Sequence, residues 1–177
     1  MQNQNSKTSI VLVHGAFADG SSWNKVIPLL EAEGFTVTAV QNPLKSLSED
    51  VATTKRVLDA QKGDVVLVGH SYGGAVITEA AAGNSKVKAL VYVAAFAPDA
   101  GETLGALGER FPAAPLGTAV VPDSAGFLYI ERAKVADVFA NDLPKEEAAL
   151  LAATQKPLAA AIFGETLKAA AWKSIPS

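Results

Sequence analysis

"DVVLVGHSYGGAVITEAAAG", Asp64 to Gly83, is the stretch whose reading decides the fold. "DVVLV" is an apolar, β-branched run and reads as a buried strand. "AVITEAAAG" reads as a helix, and its small residues allow close approach to a sheet. Between them Gly69-His70-Ser71-Tyr72-Gly73 fits G-x-S-x-G. In that pattern the serine sits on a sharp strand-to-helix turn that holds its hydroxyl above the sheet. Neighbouring strand and helix press on the turn, so side chains two residues before and after Ser71 would clash; Gly69 and Gly73 avoid this. The helix points its positive end at the site, which favours developing negative charge. The backbone N–H of Tyr72 is then a candidate oxyanion donor. A glycine-rich turn with an idle serine could carry the same letters. The strand before and the helix after favour the nucleophile turn. A phosphate loop would need a lysine after the glycines, and none follows.

Working outward, the first hundred residues alternate strand and helix signals. "TSIVLVHG" reads as a strand. "SSWNKVIPLLEAEG" puts Trp23, Val26, Ile27 and Leu30 on one helical face, with Pro28 near the first turn and a stop at Gly34. "FTVTAVQN" is the next strand. "SLSEDVATTKRVLDAQKG" offers Ser46 and Glu49 as a capping box, then Val51, Thr54 and Leu58 at helical spacing. "KVKALVYVAAF" is the strand after the Ser71 helix. Apolar strands joined by helices imply a parallel sheet covered on both faces, a three-layer α/β/α sandwich. After "APDAGE" the pattern changes. Residues 101–123 are rich in Gly, Pro and Ala, "LPKEEAALLAATQ" is a helix opened by Pro144, and "PLAAAIFGETLKAAAWKS" is Ala-rich and partly helical; no further strand is expected. Residues 1–100 therefore read as the core, 101–165 as a helical cap, and 166–177 as a return to the core.

The chain has 177 residues, 49% of them hydrophobic and 19% charged, as in a globular domain. A net charge of −3, with no basic run among aromatics, gives no footing for nucleic acid. The absence of cysteine excludes disulfides and thiolate metal sites. The polar start "MQNQNSKTS" lacks the apolar core of a signal peptide, and no apolar run approaches ~20 residues, so a cytoplasmic protein without a membrane span is expected.

A second loop, "HGAFADGSSW", follows the first strand. A loop in this place supplies the other oxyanion donor in nucleophile-elbow enzymes. Gly15 lets the backbone approach a ligand, and the N–H of Ala16 is the candidate donor, that of Phe17 the weaker one. Phe17 is also a candidate acyl-pocket residue. His14 reads as a loop anchor that hydrogen-bonds the backbone. Trp23 reads first as helix packing and second as a border of the pocket, and Asp19 with Gly20 reads first as a turn and helix cap.

With "VLVHGAFADGSSW", "LVGHSYGG" and "VYVAAFAPDAGE" on the page, the chain resembles α/β-hydrolases of the group that holds plant methyl esterases and hydroxynitrile lyases. The likeness covers most of residues 8–100. It implies an α/β-hydrolase fold with a cap, hydrolysis of a small-molecule ester by a serine triad, and no cofactor or metal. Ser71 matches the nucleophile, and Ala16 and Tyr72 match the oxyanion donors.

The triad order in such enzymes is Ser, then acid, then His. No histidine follows His70 here, so acid and base are expected beyond "KSIPS", and the fold is expected to be incomplete. His70 adjoins Ser71 and leaves the turn in another direction, which makes it a very poor base. Asp99 reads as part of a turn into the cap more than as a triad acid. Without further strands the fourth strand would be an apolar edge, open to self-association. A non-catalytic small-ligand-binding protein and a lyase acting on cyanohydrins are the alternatives.

Overall fold

The computed structural model describes residues 8–177; most of the polar start read above falls on residues 1–7, outside the described residues. Strands β1 (Ser9–Val13), β2 (Thr36–Ala39), β3 (Val65–His70) and β4 (Val87–Val93) form one sheet in the order β2-β1-β3-β4. All its pairs are parallel, as apolar strands joined by helices require. β1 is central, and every one of its residues is buried. Its register sets Val13 beside Gly69 of β3, so the loops that leave these two strands emerge side by side.

Helix α1 (Ile27–Ala32) follows a short 3-10 turn, Gly20–Trp23, capped by Asp19, whose carboxylate accepts the Ser21 N–H at 2.7 Å. Trp23 packs with Ile10, Leu12 and Val68 on one face of the sheet. Pro28 stands in the first turn of α1, where its missing N–H costs nothing. Helix α2 (Leu47–Ala60) starts at Ser46, whose Oγ accepts the Glu49 N–H at 3.1 Å. It buries Val51, Thr54 and Leu58. Helix α3 (Gly73–Ala80), buried along its whole length, packs with α2 in the larger core that covers Val11, Val13, Val65 and Leu67. The three-layer reading holds.

β4 lies at the edge of the sheet. Its Val91 and Val93 are 42% and 41% exposed, while Leu90 is buried. The Leu90 N–H donates to the Pro176 carbonyl at 2.9 Å, so the last residues of the chain lie against this edge.

The segment after residue 100 is not wholly helical. It holds α4 (Leu104–Gly108), α5 (Val135–Val138) and α6 (Lys145–Thr154). It also holds a three-stranded antiparallel sheet of β5 (Val120–Pro122), β6 (Phe127–Ile130) and β7 (Leu158–Ala159), which corrects the expectation that no further strand follows. These strands are too short to show a period, and β7 pairs from across α5 and α6. Side-chain amides take over part of the pairing. The Gln155 carboxamide accepts the Ile130 N–H at 2.8 Å and donates to the Ile130 carbonyl at 2.9 Å. The Ala-rich tail expected to be partly helical is β7 followed by 3-10 turns at Ala160–Gly164 and Ala171–Lys173.

Candidate active site

The turn from β3 into α3 has the geometry its letters imply. Ser71 has φ +53, the left-handed region that a side chain makes costly, and its side chain is half-buried. The turn is held by Ser71 N–H to the Val93 carbonyl at 3.3 Å and by Phe96 N–H to the Ser71 carbonyl at 3.1 Å. Space is the reason for the flanking glycines. A Cβ at Gly69 would stand 2.6 Å from the Gly73 carbonyl oxygen, and one at Gly73 would stand 2.5 Å from the Val13 carbonyl oxygen.

The loop after β1 closes on the same serine. A Cβ at Gly15 would come within 2.9 Å of the Ser71 Cβ, so only a glycine lets the backbone pass so near. Beyond it, Ala16 is half-buried and Phe17 is buried with φ +62. The N–H groups of Ala16 and Tyr72 have no hydrogen-bond acceptor among the described residues. Phe17 meets Phe139 edge-on, ring centroids 6.4 Å apart, so the loop packs against the segment that follows residue 100.

His14 is a loop anchor. Its Nδ1 lies 2.8 Å from the Gly15 carbonyl, and its Nε2 accepts the Asn42 N–H at 3.0 Å. Those partners require the proton on Nδ1 and leave no free nitrogen. The ring is fully buried, and burial holds its pKa below the usual histidine value. Burial also lowers that of His70, whose ring meets Trp23 edge-on with centroids 6.3 Å apart. Asp99 serves the turn: its Oδ1 accepts the Ala100 N–H at 2.7 Å and its Oδ2 pairs with Lys173 at 2.5 Å, contacts that hold its carboxyl below the usual range.

Two groups near the site escaped sequence reading. Lys156 donates its backbone N–H to the Phe17 carbonyl at 3.1 Å and its ammonium to the Asn42 carbonyl. Asp50, fully buried, accepts the Tyr72 hydroxyl at 2.7 Å and the Leu44 N–H at 2.8 Å. Burial raises the pKa of Asp50, and burial followed by the nearby carboxylate raises that of Tyr72. The sequence signals the burial of Asp50 but not its partner: it precedes Thr54 by one helical turn and so shares the buried face of α2. Two surface concavities, of ≈ 220 Å³ beside α5 and α6 and ≈ 390 Å³ at the ends of α2 and α3, include none of these residues. No group of three or more His, Cys, Asp or Glu side chains suited to a metal occurs among the described residues, and no described helix is long and apolar enough to cross a membrane.

A parallel sheet with a strained serine between strand and helix, met by a glycine loop from the neighbouring strand, is the core of a hydrolase of the α/β class. The chain belongs to the alpha/beta hydrolase family, which it matches over residues 10–177. It is similar to the alpha-hydroxynitrile lyase of Arabidopsis thaliana, 36% identical over 107 residues that make up 52% of this chain and 42% of that one. It is also similar to the carbendazim hydrolyzing esterase of a Nocardioides species, 36% identical over 112 residues, 56% of this chain and 46% of that one. Among solved structures, a pyrethroid hydrolase superimposes with a TM-score of 0.75 at 25% identity, covering 90% of this chain and 71% of the other. The matched stretch spans less than half the length of those two curated relatives.

Proposed function

We propose that the chain carries the nucleophile and oxyanion hole of a serine carboxylic ester hydrolase that acts on a small-molecule ester. Ser71 attacks the ester carbonyl, the N–H groups of Ala16 and Tyr72 receive the oxyanion, and Phe17 borders the acyl group. The observation that carries this reading is the left-handed Ser71 with the Gly15 backbone packed against its Cβ. It is supported by two backbone donors that have no acceptor among the described residues.

The reading needs a proton acceptor for Ser71. His14 is committed at both nitrogens and the His70 ring packs edge-on against Trp23, so neither histidine of these 177 residues is assigned that role. In serine proteases the oxyanion hole and binding alone leave a residual ~10³–10⁴-fold acceleration over water. With no base assigned among them, these 177 residues are expected to hydrolyse the ester slowly. Steady-state hydrolysis of a short-chain p-nitrophenyl ester tests this: a slow rate lost in Ser71→Ala is expected, and a rate equal in both proteins overturns the reading.

The engagement of His14 also favours a second reading, a small-ligand-binding protein without turnover. A dissociation constant for a short-chain carboxylic acid, measured by calorimetry and unchanged by Ser71→Ala, would favour it if hydrolysis were absent. A lyase chemistry, as the name of one relative indicates for that relative, needs the same base and stands or falls with it.

A further inference from the structure

Tyr72 follows the serine and offers the N–H assigned above to the oxyanion. Its carbonyl is fixed by the helix, accepting the Ala75 N–H at 3.0 Å, but its own N–H is tied to nothing among the described residues. Its aim is set by the planar peptide it shares with the Ser71 carbonyl, which accepts the Gly74 and Phe96 N–H groups at 3.0 and 3.1 Å, and by how firmly the rest of Tyr72 is held. The side chain is 3% exposed and ends in the 2.7 Å hydrogen bond to Asp50 Oδ2. The other carboxyl oxygen takes the N–H of Leu44, itself left-handed at φ +61, in the loop after β2. The Leu44 carbonyl in turn accepts the Ala159 N–H of β7 at 2.9 Å. One buried carboxyl thus joins the serine turn, the loop after β2 and the returning strand of the cap. Apolar side chains could fill the same volume without the cost of burying a carboxyl. What they could not supply is direction, because a carboxyl with two donors fixes both partners in angle as well as distance.

We propose that Asp50 is a positioning residue: through the Tyr72 hydroxyl and the Leu44 N–H it holds the Tyr72 N–H aimed at the oxyanion and couples that aim to the cap. This rests on the reading of Ser71 as nucleophile. The test uses the full chain and four variants, Tyr72→Phe, Asp50→Ala, Asp50→Asn and Tyr72→Phe/Asp50→Ala. Two readouts are taken: the rate of Ser71 labelling by an alkyl fluorophosphonate, and the amide cross-peaks of Leu44, Tyr72 and Ala159 in ¹H–¹⁵N NMR spectra.

Tyr72→Phe and Asp50→Ala are each expected to slow labelling about tenfold. The double variant is expected to be no slower than the slower single one, since both remove the same strut. Asp50→Asn keeps an oxygen for Leu44 and a polar group for Tyr72, and recovers most of the rate lost in Asp50→Ala. In Tyr72→Phe the Leu44 and Ala159 amides shift. Labelling at the parental rate in both single variants, or losses that multiply in the double, overturns the positioning role. An unlabelled Ser71 in the parent protein overturns the nucleophile reading and with it the catalytic part of this proposal. The strut is then decided by NMR alone, and a Leu44 amide unmoved by Tyr72→Phe overturns it as well.

Discussion

The sheet before residue 100 and the segment after it hold themselves together by different means. In the first, backbone pairs with backbone along four parallel strands, and glycines allow turns to pass within van der Waals distance of one another. In the second, short strands are completed by side chains that reach across the chain. Gln155 binds Ile130, Glu165 accepts the Leu47 N–H at 2.9 Å to help cap α2, and Lys156 grips the Phe17 and Asn42 carbonyls. The difference teaches that close packing around glycines limits what the serine turn tolerates, whereas the short strands of the later segment lean on polar side-chain ties. Damage to the first is therefore global, and damage to the second is local.

The largest effect is expected at Gly73. A methyl group there meets the carbonyl oxygens of Val13 and His14, at 2.5 and 2.7 Å, and neither can yield without moving β1. Gly73→Ala should destabilise the protein by about 3 kcal/mol, read as a fall in the denaturant midpoint. Unchanged stability would show that the close approach is not what holds the turn.

His14 comes next. His14→Ala leaves the buried Asn42 N–H without its acceptor, a loss of about 1–3 kcal/mol. Its titration gives a second check. The folded pKa lies below the ordinary 6.5, so the neutral ring stabilises the fold fully above pH 6.5. As pH falls through the lowered value, that contribution is lost, because protonated Nε2 cannot accept the Asn42 N–H. Denaturation midpoints measured on the acid side should fall more steeply for the parent than for His14→Ala; parallel curves would contradict the assignment.

The smallest effect is expected at Gln155, in the second region. Gln155→Ala removes the two bonds to Ile130, at a cost of about 1 kcal/mol in this partly buried place. Hydrogen exchange should quicken at β6 and stay unchanged in β1 and β3. Faster exchange throughout the sheet would show that the two regions unfold as one.

Much of the first region was legible because its physics is local and repetitive. β-branched runs marked the buried strands, Ser46 and Asp19 marked helix starts, and Gly69 and Gly73 marked the turn that leaves no room for a side chain. His14 could be read as an anchor because it ends a strand beside a loop that needs a shape. The antiparallel sheet after residue 100 was not legible. β7 has two residues, and its partner lies some thirty residues earlier, so no periodicity announces the pair. Asp50 was hidden for a different reason. An acid in the first turn of a helix has a sufficient explanation in the helix dipole, and nothing nearby in sequence shows that Tyr72 comes to meet it.

The most direct measurement is the mass of the intact protein after brief mixing with a short-chain p-nitrophenyl ester, followed by peptide mapping. The expected result is a single acyl adduct on the peptide that holds Ser71, slow to form and absent from Ser71→Ala. No adduct, or the same adduct in Ser71→Ala, would contradict the assignment of this strained serine as a nucleophile.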